Sequence, residues 1–454
     1  MREKSQIDID KEFISDIKDL VDSKAEYLLR NILSDLHPAD ISEILDHLDE
    51  QERNFVFEII DTEKASDVIL ELDTASREDI LEHLDEVQIS EIIDEMQSDD
   101  AANIVQELDD ETATRVLEKL DFEESQEVRE LLKYEEDTAG GIMQLEFVDV
   151  YETESVRQAI DEVREKSKDV QKIYDIFVVN REGILVGVVS TEQLLMVGPD
   201  ELISDIMNTD VISARTNEDQ EEVANRFKKY DLVTLPVVTP AGKLVGRVTI
   251  DDIVDVIEQE ASEDVSKMAG SVDEDVTETS TLRISRSRLP WLMTALVGEL
   301  VAAFVLSRFE TSLNAVLALA FFLPIIMAMA GNVAIQCSSI VIRGLATGEI
   351  RLLDVQRQVF KELRVAMVNG IVLGVILSGI VSFWIGNLEV ALVVSVALVC
   401  VIFFAALNGT LFPLILKRLR VDPALAAGPF VTMTNDTLGI LIYLGIATLF
   451  LVRP

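Results

Sequence analysis

Two cysteines, three histidines and two tryptophans in 454 residues leave little room for several kinds of chemistry. Cys337 and Cys400 each lie inside an apolar run, which argues against a disulfide framework. His37, His47 and His83 all fall in one acidic helical region and read as helix-surface residues, so no histidine-centred metal or nucleophile cluster is expected. No G-x-x-x-x-G-K-[ST] loop occurs, and "PAGKL" (Pro240 to Leu244) lacks the first glycine, which removes a transport ATPase. The chain is not expected to be an enzyme. Bases are scarce too, 39 Lys and Arg against 83 Asp and Glu, and nucleic acid needs a basic footprint, so it is excluded as a partner. The N-terminal "MREKSQIDIDKEF" has no apolar core of a signal peptide and is expected to stay cytoplasmic.

The length suits roughly three domains of ~150 residues. All but eight of the 83 acids precede residue 282, together with 26 of the 39 bases, so net charge passes from about −49 to about +5. An acidic aqueous half therefore precedes a membrane half. Any one carboxylate of the acidic half reads most simply as part of a solvated helix face. The summed repulsion is harder to dismiss, since a compact arrangement needs counter-ions.

Hydropathy gives five candidate spans near 289–307, 313–334, 365–385, 390–416 and 427–452, each close to the ~20 apolar residues that cross a bilayer. Arg283, Arg286 and Arg288 precede the first. Arg343, Arg351, Arg357, Lys361 and Arg364 follow the second, and Lys417, Arg418 and Arg420 follow the fourth. The positive-inside rule then puts the N-terminus in the cytoplasm and the C-terminus outside.

In the fifth span "TMTNDTLGIL" carries Asp436, a carboxylate that costs at least ~2.5 kcal/mol at membrane depth. Gly428, Thr432 and Asp436 follow at four-residue spacing and Gly439 three later, making one small, polar helix face. Helix packing through small residues explains the glycines but not the acid, which reads as an ion ligand. Glu299 is a second intramembrane acid, equally compatible with packing, a wet cavity or transport. Hard oxygen ligands suit magnesium, calcium or manganese, and magnesium keeps its water shell. A symmetric dimer would bring two copies of Asp436 around a hydrated ion. "PIIMAMAGNVAIQ" (Pro324 to Gln336) is expected to break its helix, and "VDPALAAGPF" (Val421 to Phe430) has two prolines where the fifth span begins.

In the acidic half a twelve-residue rhythm runs through Leu36, Leu48, Ile60, Leu72, Leu84, Met96, Leu108 and Leu120, and Asp directly follows six of the eight. It predicts stacked short helices in a solenoid, with Asp as a helix cap. A longer repeat follows: "DIFVVNREGILVGVVSTEQLL" matches "VTLPVVTPAGKLVGRVTIDDIV" as strand, glycine turn, strand and helix, each preceded by a helix near 155–167 and 218–230.

This doublet resembles a pair of CBS domains. The order of acidic helical N domain, CBS pair, acidic linker and five spans is similar to the MgtE family of magnesium channels, most specifically in "LATGEIRL", "VDPALAAGPF" and the Thr-rich stretch ending at Asp436 and Gly439. The resemblance implies a mixed fold: an all-α acidic solenoid over 1–137, an α/β tandem CBS pair over 138–258, an acidic linker (plug) helix over 259–284 and a five-span α-helical pore domain over 285–454. It implies a homodimer in the inner (plasma) membrane, in contact with lipid, that passes Mg2+ and other divalent cations. By the same resemblance Asp436 and Asn332 line the pore, although "VAIQ" after Asn332 departs from the family's polar run at Ile335.

The linker "DDIVDVIEQEASEDVSKMAGSVDEDVTE" has Lys267 as its only base and could present Asp252, Asp255, Glu260, Glu263 and Asp264 along one helix. Magnesium bound between these acids and the N domain would close the pore, provided the closed state binds it more tightly. The family's regulatory sites carry over to Asp219, Glu221, Asp231, Asp252, Glu260, Glu263, Asp264 and Asp422, with Asp99 or Asp100 as N-domain partners. "GRVTIDD" resembles an adenosine-nucleotide site in which Thr249 and Asp252 meet ribose and phosphate, with ATP the expected ligand; "GVVSTEQ" lacks that Asp. Two further readings stay open: a cation carrier alternating Glu299 and Asp436 between ions, and a non-conducting magnesium sensor.

Overall fold

The computed structural model describes residues 9–168, 170, 172–269, 281–347, 350, 355–419, 421–426 and 428–451. They belong to two compact units, Met1–Ile257 and Glu258–Pro454.

The first unit begins with ten helices, α1 (Lys11–Asp22) to α10 (Phe122–Leu131). The twelve-residue rhythm becomes one helix per repeat. Asp49, Asp61, Asp73, Asp85 and Asp109 are N-caps whose carboxylates accept backbone N–H groups of the next turn, Glu52 N to Asp49 at 2.9 Å and Ser76 N to Asp73 at 2.8 Å among them. Each satisfies a donor that a helix start would otherwise leave orphaned. Leu36, Ile60, Leu72, Leu84 and Leu108 are the C-caps, so the apolar marker ends one helix and the acid starts the next. Helices two apart stack: α3 (Pro38–Asp46) on α5 (Thr62–Glu71), α5 on α7 (Glu86–Ile93), α7 on α9 (Asp110–Leu117). Arg53–Asp79 (2.9 Å) and Arg77–Glu107 (3.0 Å) bridge successive layers. The three histidines sit at helix ends: His37 caps α3, accepting from Ala39 N.

Two matching α/β halves follow: β1 (Asp149–Tyr151), α11 (Val156–Lys166), β2 (Asp175–Val179), β3 (Leu185–Ser190) and α12 (Thr191–Met196); then α13 (Ile203–Ile206), β4 (Ala214–Arg215), α14 (Gln220–Tyr230), β5 (Thr234–Val238), β6 (Leu244–Thr249) and α15 (Ile250–Ala269). Each sheet is three-stranded, with the first strand parallel to the second and the second antiparallel to the third. The register slips at Val178/Val179 in one and Val237/Val238 in the other, the same place in each repeat. The two turns meet reciprocally, Leu185 N donating to Gly242 O (3.1 Å) and Leu244 N to Gly183 O (3.0 Å). Gly183 (φ +77°) and Gly242 (φ +84°) take the left-handed conformation these turns need. The expected central strands and helices are present; β1 and β4, three and two residues long, are additional. The linker helix is not separate, because α15 runs unbroken out of β6. The rest of the expected linker, 270–280, lies outside the described residues.

The second unit carries α16 (Thr281–Ser307), the short α17 (Glu310–Ala315), α18 (Ala318–Ala346), α19 (Val355–Ile385), α20 (Leu388–Arg418), a 3-10 turn Pro423–Ala426 and α21 (Pro429–Leu451). Five stretches are long and apolar enough to cross a membrane by length and composition. α20 is the centre, packed by α18, α19 and α21, while α16 packs on α21. At Gly409 of α20 an added Cβ would collide with the carbonyl oxygen of Ala334 in α18, so close backbone approach fixes this crossing. The second span is corrected in two ways. It starts later than 313, since 310–315 forms a helix of its own. Pro324, Gly331 and Asn332 do not break it either: α18 is continuous from Ala318 to Ala346. Pro324 lies in the second turn, where the bond it removes would reach only Ala320, near the helix start. Pro429 by contrast opens α21, where a missing N–H costs nothing.

Candidate functional site

α8 (Ser98–Glu107) lacks a side-chain cap at Gln97, unlike most of its neighbours. Its first turn is held from a distance instead: Glu146, just before β1, accepts from Ser98 N (2.9 Å) and Ser98 Oγ (2.7 Å). This dock brings Asp99 and Asp100 to the end of β6, where Asp252 opens α15. One oxygen of Asp252 accepts from Thr249 N (3.1 Å), Thr249 Oγ1 (2.8 Å) and Gln144 Nε2 (3.3 Å). Asp99 is 3% exposed and its Oδ1 has no partner; Gln144 is equally buried and its Oε1 has none either. Two bases stand nearby. Lys172 pairs with Asp251 at 2.6 Å, leaving buried Arg247 to face Asp99, Asp252 and Glu146.

The electrostatics follow from that count. Burial, then the charge of Asp100, then Asp252 and Glu146, push the Asp99 carboxyl well above the usual range. Burial and Asp252 push Asp100 up to about 7. Burial raises Asp252 as well, against the Thr249 hydrogen bonds that favour its charge. Orphaned buried oxygens beside crowded carboxylates suit an incoming hydrated cation. Among the described residues no group of three or more His, Cys, Asp or Glu is arranged to hold a metal directly. The adjoining cavity, lined by Ser66, Asp67, Asp100, Gln144, Lys172 and Asp252 among others, is about 170 Å3. That is below the ~300 Å3 at which small-molecule sites begin, so with α8 docked the Thr249–Asp252 corner is too small for a nucleotide.

The other expected ligands lie apart from this group. Asp219 is the N-cap of α14, accepting from Glu221 N (2.8 Å), and Asp231 is its C-cap at φ +53°. Glu221 stands in that helix's first turn. None of the three lines the cavity. In the second unit Glu263 and Asp422 meet around Lys267, whose Nζ lies 2.5 Å from Glu263 Oε1 and 2.7 Å from Asp422 Oδ2. Asp264 is beside them, raised to about 6 by burial and then by Asp422, with Glu260 adding a smaller repulsion. Sequence reasoning missed Glu146, Gln144 and Arg247. Only the absent cap at Gln97, where six of the eight repeats place Asp, pointed to an outside partner for α8.

Within the apolar bundle, Asp436 on α21 and Glu299 on α16 are within hydrogen-bonding reach of each other. The crossing of the two helices at Gly298, against which Met433 packs, sets this pairing. Asp436 is half-exposed, and Glu299 and Asn332 are exposed on the surface of the single chain. On the next face of α21, Asn435 is 1% exposed and accepts from Asn408 Nδ2 at 3.3 Å.

Acidic helical repeats, paired α/β halves and an acid-bearing bundle of membrane-length helices are together the architecture of a divalent-cation transporter. Residues 323–446 match the MgtE divalent cation transporter model, 36–137 the MgtE intracellular N domain, and 139–199 and 203–259 the CBS domain. The chain is 40% identical over 318 residues to the magnesium transporter MgtE of Thermus thermophilus and 38% over 315 to that of Bacillus subtilis, in each case 69% of this chain and 70% of the relative. The crystal structure of the cytosolic domain of the Mg2+ channel MgtE in complex with ATP is similar with a TM-score of 0.52 at 34% identity, covering 54% of this chain and 99% of that one. A soluble part of a magnesium transporter gives 0.50 at 31%, covering 55% and 99%. The chain belongs to the MgtE family.

Proposed function

We propose that the chain is a magnesium channel that works as a homodimer and is closed by cytoplasmic magnesium. The observation that carries the pore reading is the placement of Asp436 and Glu299 side by side on the outside of an apolar bundle. Two carboxylates at that depth do not face lipid tails; a second copy and a water-filled path between the copies give them solvent. Asp436 then holds hydrated magnesium through its water shell, with Asn332 contributing an amide lining. The N-terminus is cytoplasmic and the C-terminus outside, as the loop charges require.

Closure follows from the first unit. The group of Asp99, Asp100, Asp252 and Glu146 carries more negative charge than Arg247 offsets, so α8 docks on the CBS pair only when protons or cations compensate. Magnesium bound there favours the docked state, and linkage makes that state the one populated at high internal magnesium. ATP, which is bound in the crystal structure of the related cytosolic domain, would require α8 to leave the Thr249–Asp252 corner of this chain. Single-channel recording tests the whole: unitary divalent currents, suppressed by internal magnesium and absent in Asp436→Asn, support it. Stoichiometric counter-ion flux without unitary currents selects a carrier, and silence in both assays a sensor.

A further inference from the structure

The ammonium of Lys267 stands where an acid-lined site would hold a metal. It lies between Glu263 and Asp422, with Asp264 close by. The other oxygen of Asp422 accepts from Ala424 N at 2.8 Å, which fixes the start of the 3-10 turn leading into α21. Beyond the ion pair, Met268 packs against buried Ala424 and Ile342, and the Lys267 carbonyl lies 3.7 Å from the point where a Cβ on Gly428 would stand. The end of α15 is thus seated on the approach to α21 by one charge and one apolar contact.

We propose that Lys267 is a tethered cation that latches the linker helix to the approach of the fifth span without magnesium. This rests on the gated-channel reading above. Three carboxylates, Glu263, Asp264 and Asp422, would repel one another in an empty site; a divalent ion relieves this only at sufficient concentration. An ammonium on the same helix is always present, because its supply is intramolecular. Magnesium closure of the channel therefore acts through the Asp99 group, while the Lys267 latch adds a constant bias toward the closed state.

The test is the internal-magnesium inhibition curve of the full-length channel in excised patches, for wild type, Lys267→Met, Lys267→Arg and Asp422→Asn. Lys267→Met frees the acids, so inhibition should need about two- to fivefold more magnesium, the scale of a partly exposed ion pair. Its curve should also steepen, because the vacated acids become one more divalent site. Asp422→Asn should shift the midpoint without steepening, and Lys267→Arg should restore the wild-type curve. Cleavage of the linker by a glutamate-specific protease in chelator gives a second readout, expected to be faster in Lys267→Met. Wild-type currents inhibited by magnesium alongside an unchanged curve and unchanged cleavage in Lys267→Met would overturn the latch alone. Absence of wild-type currents would instead strike the channel reading, leaving the cleavage comparison to decide the latch.

Discussion

Replacing Asp100 by Asn should make docking of α8 on the CBS pair less dependent on magnesium. The side chain keeps its shape and loses the charge that Asp252 and Glu146 repel. Its carboxyl stands at about 7 in the docked state against an ordinary value of 3.8. At about 1.36 kcal/mol per unit, ionising it in place costs up to roughly 4 kcal/mol. Because the residue is not fully buried and shares its repulsion with neighbours, ~1–3 kcal/mol is the expected gain on substitution. The docked state binds more protons than the undocked one between the ordinary carboxylate value and about 7. In chelator, wild-type docking is therefore strongest in acid, weakens as pH rises toward about 7, and levels off above it. Thermal unfolding of the full-length protein in detergent reads this: Asp100→Asn in chelator at neutral pH should unfold about 2–10 °C higher than wild type. Added magnesium should gain it less, and its pH slope should flatten. A variant no more stable than wild type in chelator, with undiminished gain from magnesium, would refute the electrostatic account of docking.

Three further outcomes follow from single contacts. Glu146→Gln keeps one acceptor for Ser98 but loses the charge at the start of α8; a loss of about 1–2 kcal/mol is expected in denaturant titration with magnesium present. Asp49→Ala, which removes a cap far from the acidic group, should cost about 1 kcal/mol while leaving the magnesium-induced gain untouched. Gly409→Ala drives a Cβ into the backbone of Ala334 and should lower the detergent unfolding midpoint by an amount equivalent to ~1–3 kcal/mol, without changing inhibition by magnesium in whatever current survives.

What the sequence disclosed were features that repeat or that violate their surroundings. The Leu–Asp rhythm is a cap chemistry repeated every twelve residues, so an array of short helices could be read from it. The two α/β halves identified each other by their shared glycine turns. Asp436 stood out because an acid does not belong in an oily run. What stayed hidden depends on contacts distant in the chain. β1 and β4 are too short to show alternation and exist because a longer strand pairs with them. Glu146 caps a helix 48 positions earlier, a pairing that no local pattern encodes. Pro324 suggested a break that a site two turns into a packed helix does not produce. Lys267, the only base in an acidic linker, was visible as an oddity, but its partner Asp422 lies 155 residues away.

On the proposed reading, Asp436 survives at membrane depth because a hydrated divalent ion occupies it, and the acids of the first unit report the same ion. Recording unitary magnesium currents from purified protein in bilayers, wild type beside Asp436→Asn, with internal magnesium stepped upward, examines both halves at once. Wild-type currents should fall as internal magnesium rises, and the variant should carry none. Undiminished divalent current through Asp436→Asn would contradict it.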